Sequence, residues 1–194
     1  MKDIWRSKIA RFYILASLPF LIGIFFLAVF YSRYELVSDH LEKDLGYKGA
    51  EANAIKHAYA ASELYDGLSH ILETNEAEQT VLFLGLVNEY VERVTKFRKQ
   101  DSAKEIMKDL HNNVAGIVVA QRSKSNTEDV YERLDILKKL ADEEVLVTAR
   151  DRNPFFSDDE TRITNPVAYS RRWLDKNKKD IKQRVTDSLQ NHHN

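Results

Sequence analysis

Apolar and polar positions along the chain predict a protein that is almost wholly helical after one long apolar run. From residue 49 onward, apolar side chains recur every three or four residues, in segments separated by Gly, Asn, Asp and Ser. Capping residues and this periodicity predict helices over residues 51–65, 75–99, 102–122 and 127–140, and a last helix from Asn165-Pro166. Residues 145–149 and 161–164 are rich in β-branched side chains and break the helical period, which predicts a small β-hairpin. The expected fold is therefore an all-α domain with a small β-hairpin over residues 49–174, followed by a charged helix or fraying tail over residues 175–194.

The apolar run from residue 12 to residue 31 contains no charged side chain and is long enough to cross a bilayer as a helix. Basic residues precede the run, and acidic residues predominate after it. The positive-inside rule then predicts a transmembrane signal anchor in contact with the lipid bilayer, with residues 1–11 in the cytoplasm, a stalk over residues 32–48, and the helical domain periplasmic or extracellular. A cleaved signal peptide and a buried helix of a soluble protein are the alternatives, and the length of the run favours the anchor.

Composition narrows the classes of function. The 194 residues include no cysteine, which excludes disulfides, thiolate metal ligands and a cysteine nucleophile. The net charge of −1 gives no basic field that would attract nucleic acid, so no nucleic-acid partner is expected. The sequence also lacks a P-loop, a Gly-rich dinucleotide fingerprint and a nucleophile elbow.

The stretch from Asp109 to Gly116 carries polar side chains inside an apolar helical pattern. Asp109, Asn112 and Asn113 fall at i, i+3 and i+4, and therefore on one helix face. Leaving a buried polar group unpaired costs about 1–3 kcal/mol, so these groups must be bonded if they are buried. The stretch predicts either a functional site or a buried hydrogen-bond network. His111 points off this face and is expected at its exposed rim.

Two other predicted helices interrupt their apolar patterns in the same way. Asn53 and His57 lie four residues apart on one face, and Glu89 lies within the apolar run of the longest helix. Because a helical bundle can aim such groups at a common point, we expect His57, Glu89 and Asp109 to approach one another. The structural alternatives are a core histidine bonded to a backbone carbonyl, a surface Glu89–Arg93 pair, and a buried network around Asp109.

Three blocks resemble, in order, the motifs of an uncharacterised bacterial all-helical domain family that recurs in secreted and polymorphic-toxin-like proteins. The blocks are Asn53 to Tyr59, Asn88-Glu89, and Asp109 to Gly116, and the resemblance covers roughly residues 46–150. The family pattern is Asn-Ala-x-Arg-His-Ala-x-Trp, then His-Glu, then Asp-x-His-Asn-Asn-x-x-Gly. This chain has Lys56 for the Arg and Asn88 for the His, and its aromatic residue, Tyr59, stands one position before the Trp of the pattern. The resemblance implies a polar site built from these blocks, and Asn88 leaves open whether that site is active.

Two hypotheses for function follow. In the first, the protein is a membrane-anchored hydrolase of an envelope or extracytoplasmic substrate. His57, Glu89 and Asp109 would then be catalytic acid/base groups or ligands of a divalent metal. Three asparagines would bind substrate or orient water: Asn53, Asn112 and Asn113. In the second, the protein is a non-catalytic, membrane-anchored binding or regulatory protein of a bacterial or phage envelope, and its partner is a protein. An open cavity around the polar groups favours the enzyme, and a filled polar core favours the binding protein.

Overall fold

The computed structural model of the protein describes residues 35–95, 103–122, 130–148 and 165–191. Residues 35–39 are α-helical and continue into a π-helical turn, His40–Asp44, which is followed in this part of the chain by five longer α-helices. These are α1 (Gly49–Ser69), α2 (Thr74–Thr95), α3 (Ala103–Arg122), α4 (Val130–Asp142) and α5 (Pro166–Asn191). For the described residues the all-α prediction is confirmed.

Helix α3 occupies the centre of the bundle. Every residue from Ile106 to Ala120 is buried, so neighbours cover the helix on all sides. Helices α1 and α5 pack on it most extensively, and α2 and α4 complete the enclosure. The face of α1 that is buried in the core carries small side chains at helical spacing, among them Ala54, Ala58 and Ala61. Alanine favours the helix and lets a neighbouring backbone come close.

Helix α5 begins where the sequence predicts and runs through most of the charged C-terminal stretch. Asn165 caps it, because its Oδ1 accepts a hydrogen bond from the Ala168 backbone N–H at 3.1 Å. Of the two alternatives for residues 175–194, a charged helix or a fraying tail, the structure shows the helix, which continues to Asn191. Ile181, Val185 and Leu189 fall at i, i+4 and i+8 and are buried in the core, so this end of the helix is held by packing.

The predicted β-hairpin is wrong. Residues 145–148 form no strand, although Val145, Leu146 and Val147 are all buried. The backbone N–H groups of Val145 and Leu146 donate to the Leu140 carbonyl at the end of α4, at 2.9 and 3.0 Å. Both backbone groups of Val147 bond to a side chain of α3 instead of a neighbouring strand. These three buried apolar residues therefore form an irregular segment whose backbone bonds to α4 and α3. The expected partner strand, residues 161–164, lies outside the described residues.

The transmembrane part of the predicted fold has no counterpart in the structure described. Among the described residues, none of the helices has both the length and the apolar character needed to cross a bilayer. The predicted anchor, residues 12–31, lies outside them. Residues that follow it pack on the domain, because Val37 and Leu41 are fully buried and Lys56 Nζ pairs with Glu42 Oε1 at 2.5 Å.

Candidate metal centre

His57, Glu89 and Asp109 meet between three helices. One potential ligand atom from each side chain lies within 4.8 Å of the other two, and His57 Nε2 is 3.6 Å from Asp109 Oδ1. Asp109 is buried, whereas His57 and Glu89 are half-buried. The prediction that these three side chains approach one another is confirmed. We call His57, Glu89 and Asp109 the three-helix cluster.

The position of His57 depends on a close approach of α1 to α3. A Cβ atom at Gly116 would lie 1.9 Å from the Ala58 carbonyl oxygen, a distance at which no side chain fits. Only glycine therefore allows the two backbones to meet here. Ala58 adjoins His57, and Gly116 lies two helical turns beyond Asp109. This contact holds α1 close enough for the imidazole to reach the carboxylate.

A second glycine contact positions Glu89. A Cβ atom at Gly85 would lie 2.5 Å from Asn113 Nδ2, so the Asn113 amide rests on the bare backbone of α2. Gly85 lies one turn before Glu89, and Asn113 lies one turn after Asp109. The two helices therefore run antiparallel past each other at this point. The Gly85–Asn113 contact sets the distance between α2 and α3. One turn further along both helices, this distance brings Glu89 close to Asp109.

Lys108 is a member of the site that the sequence analysis missed. Its Nζ lies 3.7 Å from Asp109 Oδ1 and 2.6 Å from Glu105 Oε2, and its side chain is buried. The one clue in the sequence was the i, i+3 spacing of Glu105 and Lys108 on the predicted helix beside Asp109. Among the residues that the structure describes here, the carboxylates of Glu89, Glu105 and Asp109 outnumber this ammonium group.

The donor set of the three-helix cluster fits a divalent transition metal. Imidazole nitrogen with two carboxylates suits Zn²⁺, Mn²⁺ or Fe²⁺. Ligands at about 2.1 Å from a tetrahedral ion stand about 3.4 Å apart, close to the observed 3.6 Å between His57 Nε2 and Asp109 Oδ1. The longest separation, within 4.8 Å, closes with side-chain movements of about 1 Å, which half-buried groups can make. Three protein ligands leave further coordination positions for water or substrate.

The three asparagines named as substrate-binding candidates have different surroundings. Asn53 is half-buried on α1, one turn before His57. Asn113 is buried against Gly85, beside the cluster. Asn112 faces another neighbour, because its Nδ2 donates to the Val147 carbonyl at 3.1 Å and its Oδ1 accepts from the Val147 N–H at 2.9 Å. Both ends of the Asn112 amide are thus occupied by the chain itself.

His111 was expected at an exposed rim, and this prediction is wrong. The residue is only 1% exposed, and Nε2 bonds to the Val145 carbonyl oxygen at 3.0 Å. Burial lowers the pKa of His111 to about 4, and the hydrogen bond to Val145 opposes that shift only in part. The neutral ring donates from Nε2. The error has a simple cause: α3 is covered on every side, so a position off one polar face points to another buried face.

Asn88, the departure from the family pattern that raised doubt about activity, is exposed on α2. It lies next to Glu89 in the sequence but belongs to a different side of the helix. The three-helix cluster is therefore assembled without a contribution from position 88.

Comparisons with models of known families, with curated proteins and with solved structures gave no match. The resemblance to the bacterial domain family stays a prediction. The case for a function comes from the geometry of the cluster.

Proposed function

We propose that the protein is a metal-dependent hydrolase whose centre is the three-helix cluster. The observation that carries this proposal is the convergence of His57, Glu89 and Asp109 from three separate helices to within 4.8 Å of one another. A purely structural histidine needs one partner, whereas a mixed N/O set of three is the usual protein contribution to a catalytic metal site. Because two members are half-buried, part of the cluster is accessible to solvent.

The side chains around the cluster have distinct roles in this proposal. His57, Glu89 and Asp109 hold the ion, and a bound divalent ion supplies Lewis acidity and activates water. Lys108 Nζ, 3.7 Å from Asp109 Oδ1, places a positive charge beside that carboxylate. Asn113 keeps α2 at its distance from α3, and thereby positions Glu89. The substrate class is a bond that water can cleave, an ester, amide or phosphoester. An envelope or extracytoplasmic substrate rests on residues outside the described structure and stays a prediction.

Hydrolysis by the full-length chain tests this proposal. We expect turnover of para-nitrophenyl acetate or bis(para-nitrophenyl) phosphate that EDTA abolishes and that Zn²⁺ or Mn²⁺ restores. His57→Ala should remove the metal-dependent turnover. His70→Ala is the matched control, because His70 is exposed just beyond the end of the same helix and should leave turnover unchanged. Turnover that survives both EDTA and His57→Ala would contradict the assignment.

A second candidate is a non-catalytic binding protein whose cluster only fixes the register of the helices. One observation favours it: two ionisable nitrogens lie beside Asp109 Oδ1. These are His57 Nε2 at 3.6 Å and Lys108 Nζ at 3.7 Å. These contacts neutralise the carboxylate without a metal. The two candidates differ in what Asp109→Asn does to stability and to metal binding, because an amide keeps the shape of the side chain but not its charge.

A further inference from the structure

A groove separate from the three-helix cluster runs between α2 and the first turns of α5. Its volume is about 600 Å³, within the range of sites for small molecules. The α2 wall is apolar, with side chains at i, i+1, i+4, i+5 and i+8: Leu82, Phe83, Leu86, Val87 and Tyr90. This spacing places them along one side of the helix. The wall extends about 12 Å along the helix axis.

The outer side chains of this wall are large and apolar, yet they are exposed to solvent. Phe83 is 62% exposed, Tyr90 58% and Val87 38%. These side chains are adjacent on the helix surface, so they form a continuous apolar strip and not scattered positions. Continuous exposed apolar surface on a folded protein marks a binding site more often than an accident of sequence.

The α5 side of the groove is mixed: it has apolar side chains such as Val167 and Leu174, and it carries the charged side chains of Arg171, Asp175 and Lys178. Lys178 Nζ pairs with Glu78 Oε1 at 3.0 Å, so its charge is engaged. Arg171 is exposed and makes no ion pair with any residue that the structure describes, including Asp175 one turn further along α5. The groove thus combines an apolar wall on one side with a mixed wall on the other, where the cations Arg171 and Lys178 outnumber the carboxylate of Asp175.

We propose that this groove binds a single-chain amphiphile with an anionic headgroup, of the fatty-acid type. The chain would lie along Leu82, Leu86 and Val87, and the carboxylate would bond to Arg171, whose planar fork of donors matches it. A wall of about 12 Å accommodates an alkyl chain but spans little more than two turns of a partner helix. The site goes beyond the proposed function and needs no metal.

Calorimetric titration of the full-length chain with dodecanoate, below its micelle concentration, tests this site. We expect saturable binding of one molecule per chain, unchanged by EDTA. Dodecyltrimethylammonium, which has the same chain and the opposite charge, should bind at least ten-fold more weakly. Binding of the cationic amphiphile as tightly as dodecanoate would overturn the proposal, and so would the absence of saturable binding.

Two pairs of variants locate the site. Arg171→Gln should weaken dodecanoate binding at least ten-fold, whereas Arg172→Gln, the adjacent exposed arginine outside the lining, should not. Val87→Asp should abolish binding, whereas Leu84→Asp, on the same helix with 41% exposure but outside the groove, should leave it intact. All four positions are on the surface, so the variants should fold, which circular dichroism checks. Equal effects within either pair would overturn the assignment of the groove.

Discussion

His111 and Asn112 lie side by side on α3 and both bond the backbone beyond the end of α4. His111 holds the Val145 carbonyl, and Asn112 bonds both backbone groups of Val147. The side chains thus bond to backbone groups of Val145 and Val147 that would bond to a neighbouring strand in a β-sheet. His111 and Asn112 are therefore structural residues, whereas two other polar residues of the same helix, Asp109 and Asn113, belong to the three-helix cluster or adjoin it.

The buried neutral ring of His111 makes stability depend on pH in a defined window. Burial lowers its pKa to about 4 in the folded protein, against about 6.5 in the unfolded chain. Above pH 7 the ring is neutral in both states and contributes nothing to the pH dependence. As the pH falls from 6.5 toward 4, only the unfolded chain takes up the proton, so the free energy of unfolding should drop by about 2 kcal/mol between pH 7 and pH 5.

Urea unfolding of the wild type and of His111→Gln at pH 7 and pH 5 measures this contribution. Gln takes up no proton between pH 7 and pH 5, so the free energy of unfolding of the variant should lack the drop of about 2 kcal/mol that is assigned to His111. Glu78 does not interfere: burial alone would raise its pKa, but hydrogen bonds from Lys182 and Lys178 lower it below 4.5, so its contribution is lost at lower pH. An identical pH dependence in both proteins would show that His111 is not the group responsible.

Asn112→Ala should destabilise the fold without touching the cluster. The change leaves the Val147 N–H and carbonyl without partners in a buried place, and each such group costs about 1–3 kcal/mol. Asn88→Ala, an exposed asparagine on α2, should change stability by less than about 0.5 kcal/mol. Chemical denaturation compares the two. Equal stability of both variants would mean that the Asn112–Val147 bonds contribute nothing.

At the scale of elements, the arrangement rests on how closely α1 and α2 approach α3. Gly116 meets the backbone at Ala58, and Gly85 receives the Asn113 side chain. Both contacts lie within two turns of the cluster. The sequence shows the helices and their polar interruptions, but a glycine that accepts a neighbouring backbone looks the same in sequence as a glycine in a loose turn. These approaches therefore could not be predicted.

Gly116→Ala should destabilise the protein strongly. The added methyl would lie 1.9 Å from the Ala58 carbonyl oxygen, so α1 and α3 must move apart, at a cost of about 1–3 kcal/mol or more. Gly67→Ala is the matched control, because a Cβ atom there meets nothing within 4 Å and alanine is the better helix former. Gly67→Ala should raise the melting temperature and Gly116→Ala should lower it. The reverse order in thermal unfolding would contradict the packing described.

The spacing of apolar residues predicted the helices correctly. The prediction failed or stayed open where contacts between distant segments decide the structure. Val145, Leu146 and Val147 have the composition of a strand, yet the end of α4 and Asn112 satisfy their backbone. The charged stretch after residue 175 has the composition of a tail, yet Ile181 and Val185 anchor it to the core. In both cases the deciding partner lies far away in sequence.

At the scale of the whole molecule, the central helix connects the features that matter for function. Asp109 on α3 draws His57 and Glu89 together from different helices, and the groove lies on the outer side of α2. The cluster could be predicted from sequence because each member interrupts an apolar period in its own helix. The groove could not, because an exposed Phe83 or Val87 follows the same period as a buried one, and only the packing of α5 decides which are covered.

The measurement that tests the metal centre most directly combines calorimetric titration of Zn²⁺ or Mn²⁺ with thermal unfolding, on the full-length wild type, Asp109→Asn and the exposed control Asp180→Asn. We predict that the wild type and Asp180→Asn bind one ion per chain and unfold at a higher temperature with metal. Asp109→Asn should fold with an unchanged or raised melting temperature in the absence of metal, and should bind the ion at least about ten-fold more weakly. A wild type that binds no ion would contradict the account. So would an Asp109→Asn protein destabilised by about 1–3 kcal/mol that retains full metal binding, since that is the behaviour of a structural network.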